Sequence, residues 1–308
     1  MGLFIKDTEF MSGTSSLENT TAVVTGATGF IGSHLVDYLV EHGCTVHALV
    51  RKTSDQRWLN KSDQVKIHVI DLLQTSAIDC LKEADYLFHC AGLTKAKTRD
   101  EFFFGNAYSC QTLYDRCIAI GNKLKVIVHL SSLAAAGPSI QGKPSKEKKT
   151  CKPVTYYGES KLAGEEIALK YSTSLPIVII RPPVVYGPRE QNFFVYLKTL
   201  SRGWDIKIGT SRRELSLVYI SDLIQAMVQS ITFYPQKEKI YYVTDGESYA
   251  WSDISDCAIK ILDVRPKTLI VPKLLLHFFS FFFETLAWFS GKTALLDRQR
   301  MIDICQSS

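Results

Sequence analysis

No two cysteines form a CxxC pair, and no His/Cys set has zinc-ligand spacing. Yet eight cysteines are spread over the 308 residues, at Cys44, Cys80, Cys90, Cys110, Cys117, Cys151, Cys257 and Cys305. That pattern excludes a disulfide scaffold and a zinc-ribbon module, so reduced thiols and no metal are expected. Charge of one sign is lacking too. The 36 basic and 31 acidic residues leave a net charge of +5, too even for a nucleic-acid footprint, and no nucleic-acid partner is expected. The one basic cluster, Lys143 to Lys152, is interleaved with Pro and Ser and reads as a solvated loop. The N-terminal MGLFIKDTEFMSGTSS has no apolar core behind a basic start, so it does not read as a signal peptide. Lys6 stands where a myristoylation motif wants Ser or Thr. Residues 1–19 read as a loose extension, with Met11 a second candidate start, and the expected compartment is the cytoplasm. Repeats and linkers are absent as well.

With 46% hydrophobic residues, the chain has the material for one large domain with a smaller appendage. Short β-branched runs alternate with longer helical patterns through the first half, the signature of a parallel sheet covered on both faces. Strands are expected at Thr21–Thr25, Thr45–Val50, Val65–Ile70, Tyr86–His89, Val126–Leu130 and Ile177–Arg181. Helices are expected at Ile31–His42, Ser76–Lys82, Glu101–Ile120 and Tyr157–Tyr171. Beyond residue 188 the rhythm loosens, with short strands at Ile240–Val243 and Thr268–Val271. The expected class is α/β: a doubly wound parallel sheet over residues 20–188, and a smaller mixed α/β lobe over 189–308 that sends chain back to the first unit.

Directly after the first strand come Gly26, Gly29 and Gly32, where strand turns into helix. Such a turn lets backbone approach a pyrophosphate, and the helix N-terminus offers N–H groups and a positive dipole end. Thr28, Phe30 and Ile31 fall in the same cradle. The acid that bonds the adenosine ribose in NAD-users should follow about 20 residues later, but Arg51 and Lys52 stand there, beside Thr53 and Ser54. Two cations with neighbouring hydroxyls suit a 2′-phosphate, so NADP(H) is expected over NAD(H); a stacking or solvent-facing Arg51 is the other reading.

The spacing TGxxGxxG resembles the extended branch of the short-chain dehydrogenase/reductase superfamily, the NAD-dependent epimerase/dehydratase type, over residues 20–300. The resemblance implies a Rossmann fold. It places Asp71 and Leu72 at the adenine, Cys90, Ala91 and Gly92 at the ribose-side loop, and Pro183, within RPPVVYGP, at the nicotinamide carboxamide. Tyr157 and Lys161 lie four residues apart at a helix start and therefore on one face. An ammonium there favours tyrosinate, so the phenol can exchange a proton with a carbinol or carbonyl oxygen near neutral pH. Ser132, ending the fifth strand, is expected to bond that oxygen. By the resemblance, Asn106 supports the proton path. Tyr156 is a rival for register, but only Tyr157 fits the step to Lys161.

Two further absences bear on substrate. Sugar-nucleotide dehydratases of this branch carry an acidic pair after the serine, where this chain has Leu133-Ala134-Ala135. Many epimerases place an Arg seven residues before a late aspartate. Here Leu215 precedes Asp222, with Arg212 and Arg213 nearby. Both point to a less charged ligand, and the motifs look most like the dihydroflavonol-reductase and 3β-hydroxysteroid-dehydrogenase groups. Hydride transfer at a secondary alcohol or ketone of an apolar small molecule is the leading reading. An epimerase with retained nicotinamide is the alternative, and a cofactor-bound scaffold or redox sensor the remaining one. Residues 272–291 form the most apolar stretch. Lys273, His277, Ser280 and Glu284 make one polar stripe on it, with Leu275, Phe278, Phe282 and Trp288 expected inward. It reads as a lid helix, with a membrane contact or a homodimer interface as other roles.

Overall fold

The structure is a computed structural model that describes residues 17–74, 78–121, 123–139, 144–208, 214–232, 234 and 239–272. In chain order the elements are β1 (Thr21–Thr25), α1 (Phe30–Glu41), β2 (Thr45–Val50), β3 (Val65–Val69), β4 (Tyr86–His89), α2 (Arg99–Phe103), α3 (Ser109–Ala119), β5 (Val126–Leu130), α4 (Tyr156–Tyr171), β6 (Ile177–Arg181), β7 (Val184–Tyr186), α5 (Gln191–Ser201), β8 (Trp204–Ile208), β9 (Glu214–Leu215), β10 (Leu217–Tyr219), α6 (Ile220–Thr232), β11 (Ile240–Tyr242), β12 (Tyr249–Ala250), α7 (Trp251–Leu262) and β13 (Lys267–Val271).

Seven strands form one parallel sheet in the order β11-β6-β5-β4-β1-β2-β3. The order reverses between β1 and β4, and such a switch point opens a crevice at the carboxyl ends of the strands. Strands β4, β5 and β6 are buried along their whole length, as apolar runs covered on both faces should be. On one face Leu35, Val36 and Leu39 of α1 meet Leu223 and Met227 of α6. On the other, Leu113 and Tyr114 of α3 and Ala168 of α4 close a second core. After residue 188 the chain returns to the sheet through β11, beside β6, while β8 and β13 pair in parallel outside it.

Two helical expectations change. Of Ser76–Lys82, the described part is a single 3₁₀ turn at Asp79–Lys82. Ile78, Cys80 and Leu81 are all buried, and one tight turn can point such closely spaced residues inward. The helix expected over Glu101–Ile120 is present but interrupted by a π-helical turn, Phe104–Tyr108, between α2 and α3. Among the described residues no helix is long and apolar enough to cross a membrane. The stripe expected within 272–291 lies outside them beyond Pro272, as do residues 1–16, Arg212 and Arg213. The seven described cysteines are free thiols; Cys305 lies outside.

Candidate active site

The glycine turn sits at the switch point. Gly26 has φ +67°, and a Cβ there would lie 2.7 Å from the Ala91 nitrogen and 2.8 Å from the Cys90 carbonyl. The loops after β1 and β4 therefore touch backbone to backbone. Thr25 stitches them: its hydroxyl accepts the Ala91 N–H at 3.0 Å and pairs with His89 Nδ1 at 2.8 Å. Helix α1 begins behind Gly29, with no side chain capping it and no carboxylate in its first turn. An uncapped helix start facing a glycine-walled crevice is a cradle for an anion. Thr28, Phe30, Ile31 and Gly32 follow in sequence. A Cβ on Gly32 would strike the Gly26 carbonyl, so the cradle needs that glycine for packing.

Arg51 and Lys52 are both exposed at the end of β2, and neither pairs with a carboxylate among the described residues. The backbone of Arg51 is fixed by a turn in which its N–H donates to Ser54 Oγ at 3.0 Å. The Asp71 carboxylate is occupied locally, accepting the Leu73 N–H at 3.0 Å. Leu72 packs against the second core.

Tyr157, half-buried, and Lys161, 5% exposed, occupy one face of α4. Thr155 caps that helix by accepting the Gly158 N–H at 3.1 Å. Lys161 Nζ donates to the Leu130 carbonyl at 2.7 Å, and burial lowers its pKa. Gly92 closes over it, since a Cβ at Gly92 would sit 3.7 Å from Nζ and 3.0 Å from Asn106 Oδ1. Asn106 lies in the π turn, 1% exposed. Its amide group is engaged by Leu93 and Ser160: Oδ1 accepts the Leu93 N–H at 2.6 Å, and Nδ2 donates to Leu93 O at 3.0 Å and to Ser160 Oγ at 2.8 Å. Helix α4 comes flush against this turn because Gly164 has no side chain to strike the Asn106 carbonyl. The structure thus brings Gly92, Asn106 and Lys161 together.

The two serines after β5 divide their work. Ser131 is buried and donates to Glu165. Ser132, next along an extended backbone, is half-buried and caps a 3₁₀ turn by accepting the Ala134 N–H at 3.2 Å. The neighbouring Leu133 N–H donates to Pro182 O at 2.9 Å, which ties the Pro182-Pro183 loop to the serine turn. Glu165 also receives Arg181, with Nε to Oε1 at 2.8 Å and Nη2 to Oε2. This buried pair joins α4 to β6 and was not anticipated from sequence. The available signal was an acid one turn after Lys161.

A cleft of about 600 Å³ is lined by Arg57, Trp58, Tyr186, Arg189, Phe193 and Phe194 among others. Both of these cations are paired, Arg57 with Asp55, and Arg189 with Asp37 at 2.7 Å. Phe194 and Val195 are 60% and 62% exposed beside it.

The profile of the NAD dependent epimerase/dehydratase family matches residues 22–243. A UDP-glucose 4-epimerase of Vibrio cholerae is 27% identical over 287 residues, 90% of this chain and 84% of that protein. A ceramide reductase of Caulobacter vibrioides is 26% identical over 252 residues, 81% and 73% of the two chains. A solved UDP-N-acetylglucosamine 4-epimerase from Methanobrevibacter ruminantium has a TM-score of 0.75 at 22% identity, covering 83% of this chain and 86% of that one. That likeness shows the fold alone.

Proposed function

The chain belongs to the NAD dependent epimerase/dehydratase family, and within it we propose an oxidoreductase acting at a secondary alcohol or ketone of a largely apolar small molecule. The observation that carries this reading is the half-buried Tyr157 on the same helical face as the desolvated Lys161, beside a glycine-walled crevice suited to a dinucleotide. Residues 20–188 would hold the cofactor, and the chain beyond 188 would shape the substrate end.

The cradle fits a nicotinamide dinucleotide. Its pyrophosphate would lie at the uncapped start of α1 against Gly26, Gly29 and Gly32. Arg51 and Lys52, without carboxylate partners among the described residues, would take a 2′-phosphate, which favours NADP(H). When bound, the nicotinamide accepts or supplies a hydride. Tyr157 Oη exchanges the proton at the substrate oxygen, Ser132 orients that oxygen, and Lys161 holds positive charge behind the phenol. Asn106 fixes the Leu93 backbone and Ser160, which keeps α4 in place. The aromatic cleft, with Arg57 and Arg189 already neutralised by their own partners, favours an apolar substrate, in keeping with the likeness to a ceramide reductase.

The likeness to the Vibrio epimerase favours a second reading, re-reduction of the same carbon with no net cofactor use. Steady-state absorbance separates the two. A reductase consumes NADPH stoichiometrically with long-chain ketone substrates, whereas an epimerase converts a UDP-hexose with none consumed. In either case Tyr157→Phe should bind cofactor as the parent does and lose about 10²–10⁴-fold in turnover. Full turnover in that variant would remove Tyr157 from the mechanism.

A further inference from the structure

A second cluster of chemistry-bearing groups lies outside this crevice. His47 of β2 and His68 of β3 project from neighbouring strands, and their rings stack with centroids 4.9 Å apart. His47 Nδ1 and His68 Nε2 are 2.8 Å apart, within hydrogen-bond distance. His47 is 4% exposed, and its other nitrogen, Nε2, is buried with no hydrogen-bond partner among the described residues. Cys80, on the 3₁₀ turn before β4, completes the group: one ring nitrogen of each histidine and the Cys80 Sγ lie within 4.8 Å of one another.

We propose that His47, His68 and Cys80 form a binding site for a borderline-soft divalent cation of the zinc class, with a water in the fourth position. A tetrahedral ion with bonds of about 2.1 Å to nitrogen and 2.3 Å to sulfur brings its ligand atoms to roughly 3.5 Å separation. Nδ1 of His47 and Nε2 of His68, 2.8 Å apart, would open by less than about 1 Å, and the ligand atoms, all within 4.8 Å of one another, would otherwise close by about 1 Å. Burial holds His47 below the usual imidazole range, so its ring is neutral and ready to ligate, while Lys66 and Glu83 nearby oppose each other in charge. Burial pushes the Cys80 thiol up to about 11, so the ion must displace its proton to solvent, and affinity should rise with pH. The half-buried His68 gives an approach from solvent. A second His/Cys group, His89, Cys110 and His129, is fully buried and feels the charge of Lys161, which repels a cation. The bound ion would tie the edge strand β3 to β2 and to the turn before β4, three segments far apart in sequence.

The experiment uses the full chain stripped with a chelator and titrated with Co²⁺. One equivalent should produce visible d–d bands and a near-ultraviolet thiolate-to-cobalt band, both abolished by one equivalent of Zn²⁺. His68→Gln, at a half-buried edge position that tolerates exchange, should weaken binding by more than about 100-fold, since losing a ligand exceeds losing its support. Cys80→Ala should remove the thiolate band, and Cys110→Ala should leave both intact. The proposal is overturned if saturating Co²⁺ gives no thiolate band, if the band survives His68→Gln and Cys80→Ala, or if it is lost with Cys110.

Discussion

Glu165→Gln isolates the most heavily buried ion pair at the site. Glu165 and Arg181 are 1% and 2% exposed, and the carboxylate receives two guanidinium nitrogens as well as the Ser131 hydroxyl. The amide keeps the shape and one acceptor oxygen but removes the charge, leaving a guanidinium sealed between α4 and β6. Besides that one amide oxygen its partners are weak, Tyr242 Oη at 3.3 Å and Cys151 Sγ at 3.2 Å. Breaking a buried pair from one side costs about 3–5 kcal/mol, a large share of the 5–15 kcal/mol that holds a typical domain. Urea unfolding at neutral pH, with linear extrapolation, measures the loss. Glu165→Gln with Arg181→Met removes both charges and should recover most of it. A single-variant loss below about 1 kcal/mol, or a double variant as unstable as the single one, would refute the reasoning. Because α4 carries Tyr157 and Lys161, turnover should fall in the single variant even at temperatures where it stays folded.

Three further outcomes follow from the geometry. Arg51→Asp should reverse cofactor preference, since a carboxylate repels a 2′-phosphate and accepts free ribose hydroxyls. One lost charge-assisted contact is worth about 1.5–3 kcal/mol, tenfold or more in Kd, and equal affinities of the parent for NADPH and NADH would sink the NADP assignment. Burial lowers the His89 pKa to about 3, so the unfolded chain binds more protons below the ordinary 6.5. Stability should be complete above that value and fall as pH drops towards 3, by about 2 kcal/mol at pH 5 from His89 alone. A His89→Gln variant with the parent's acid slope would contradict this. Gly164→Ala should cost about 1–3 kcal/mol and reduce turnover, because its methyl meets the Asn106 carbonyl; a neutral effect in thermal melts and kinetics would show that α4 and the π turn are free to separate.

The first half of the sheet was legible because its signals are local. β1, β2, β4, β5 and β6 lie where their β-branched runs placed them, and a glycine turn between strand and helix can be read from a dozen residues. The family resemblance resting on that turn holds. The π turn at Phe104–Tyr108 was illegible because apolar periodicity reports a helical face, and one extra residue in a turn shifts that face without erasing it. The 3₁₀ turn at Asp79–Lys82 was misread for a related reason, its buried residues being too few to fix a period.

The polar core behind the site was illegible for a different reason. Glu165 and Arg181 are 16 residues apart, His47 and His68 are 21 apart, and Thr25 meets His89 across 64. Each residue alone reads as an exposed charge or a stray imidazole. The parallel register, with β2 against β3 and β1 against β4, makes the last two pairs, and the packing of α4 on β6 makes the first. The same logic separates Ser131 from Ser132, the serine that the sequence motif singles out. Extended backbone sends adjacent side chains to opposite faces, and the choice between them is made by Glu165, a partner on another element. Chemistry that rests on a contiguous motif is thus written in the sequence, whereas the side chains that hold the motif still are supplied by strand order.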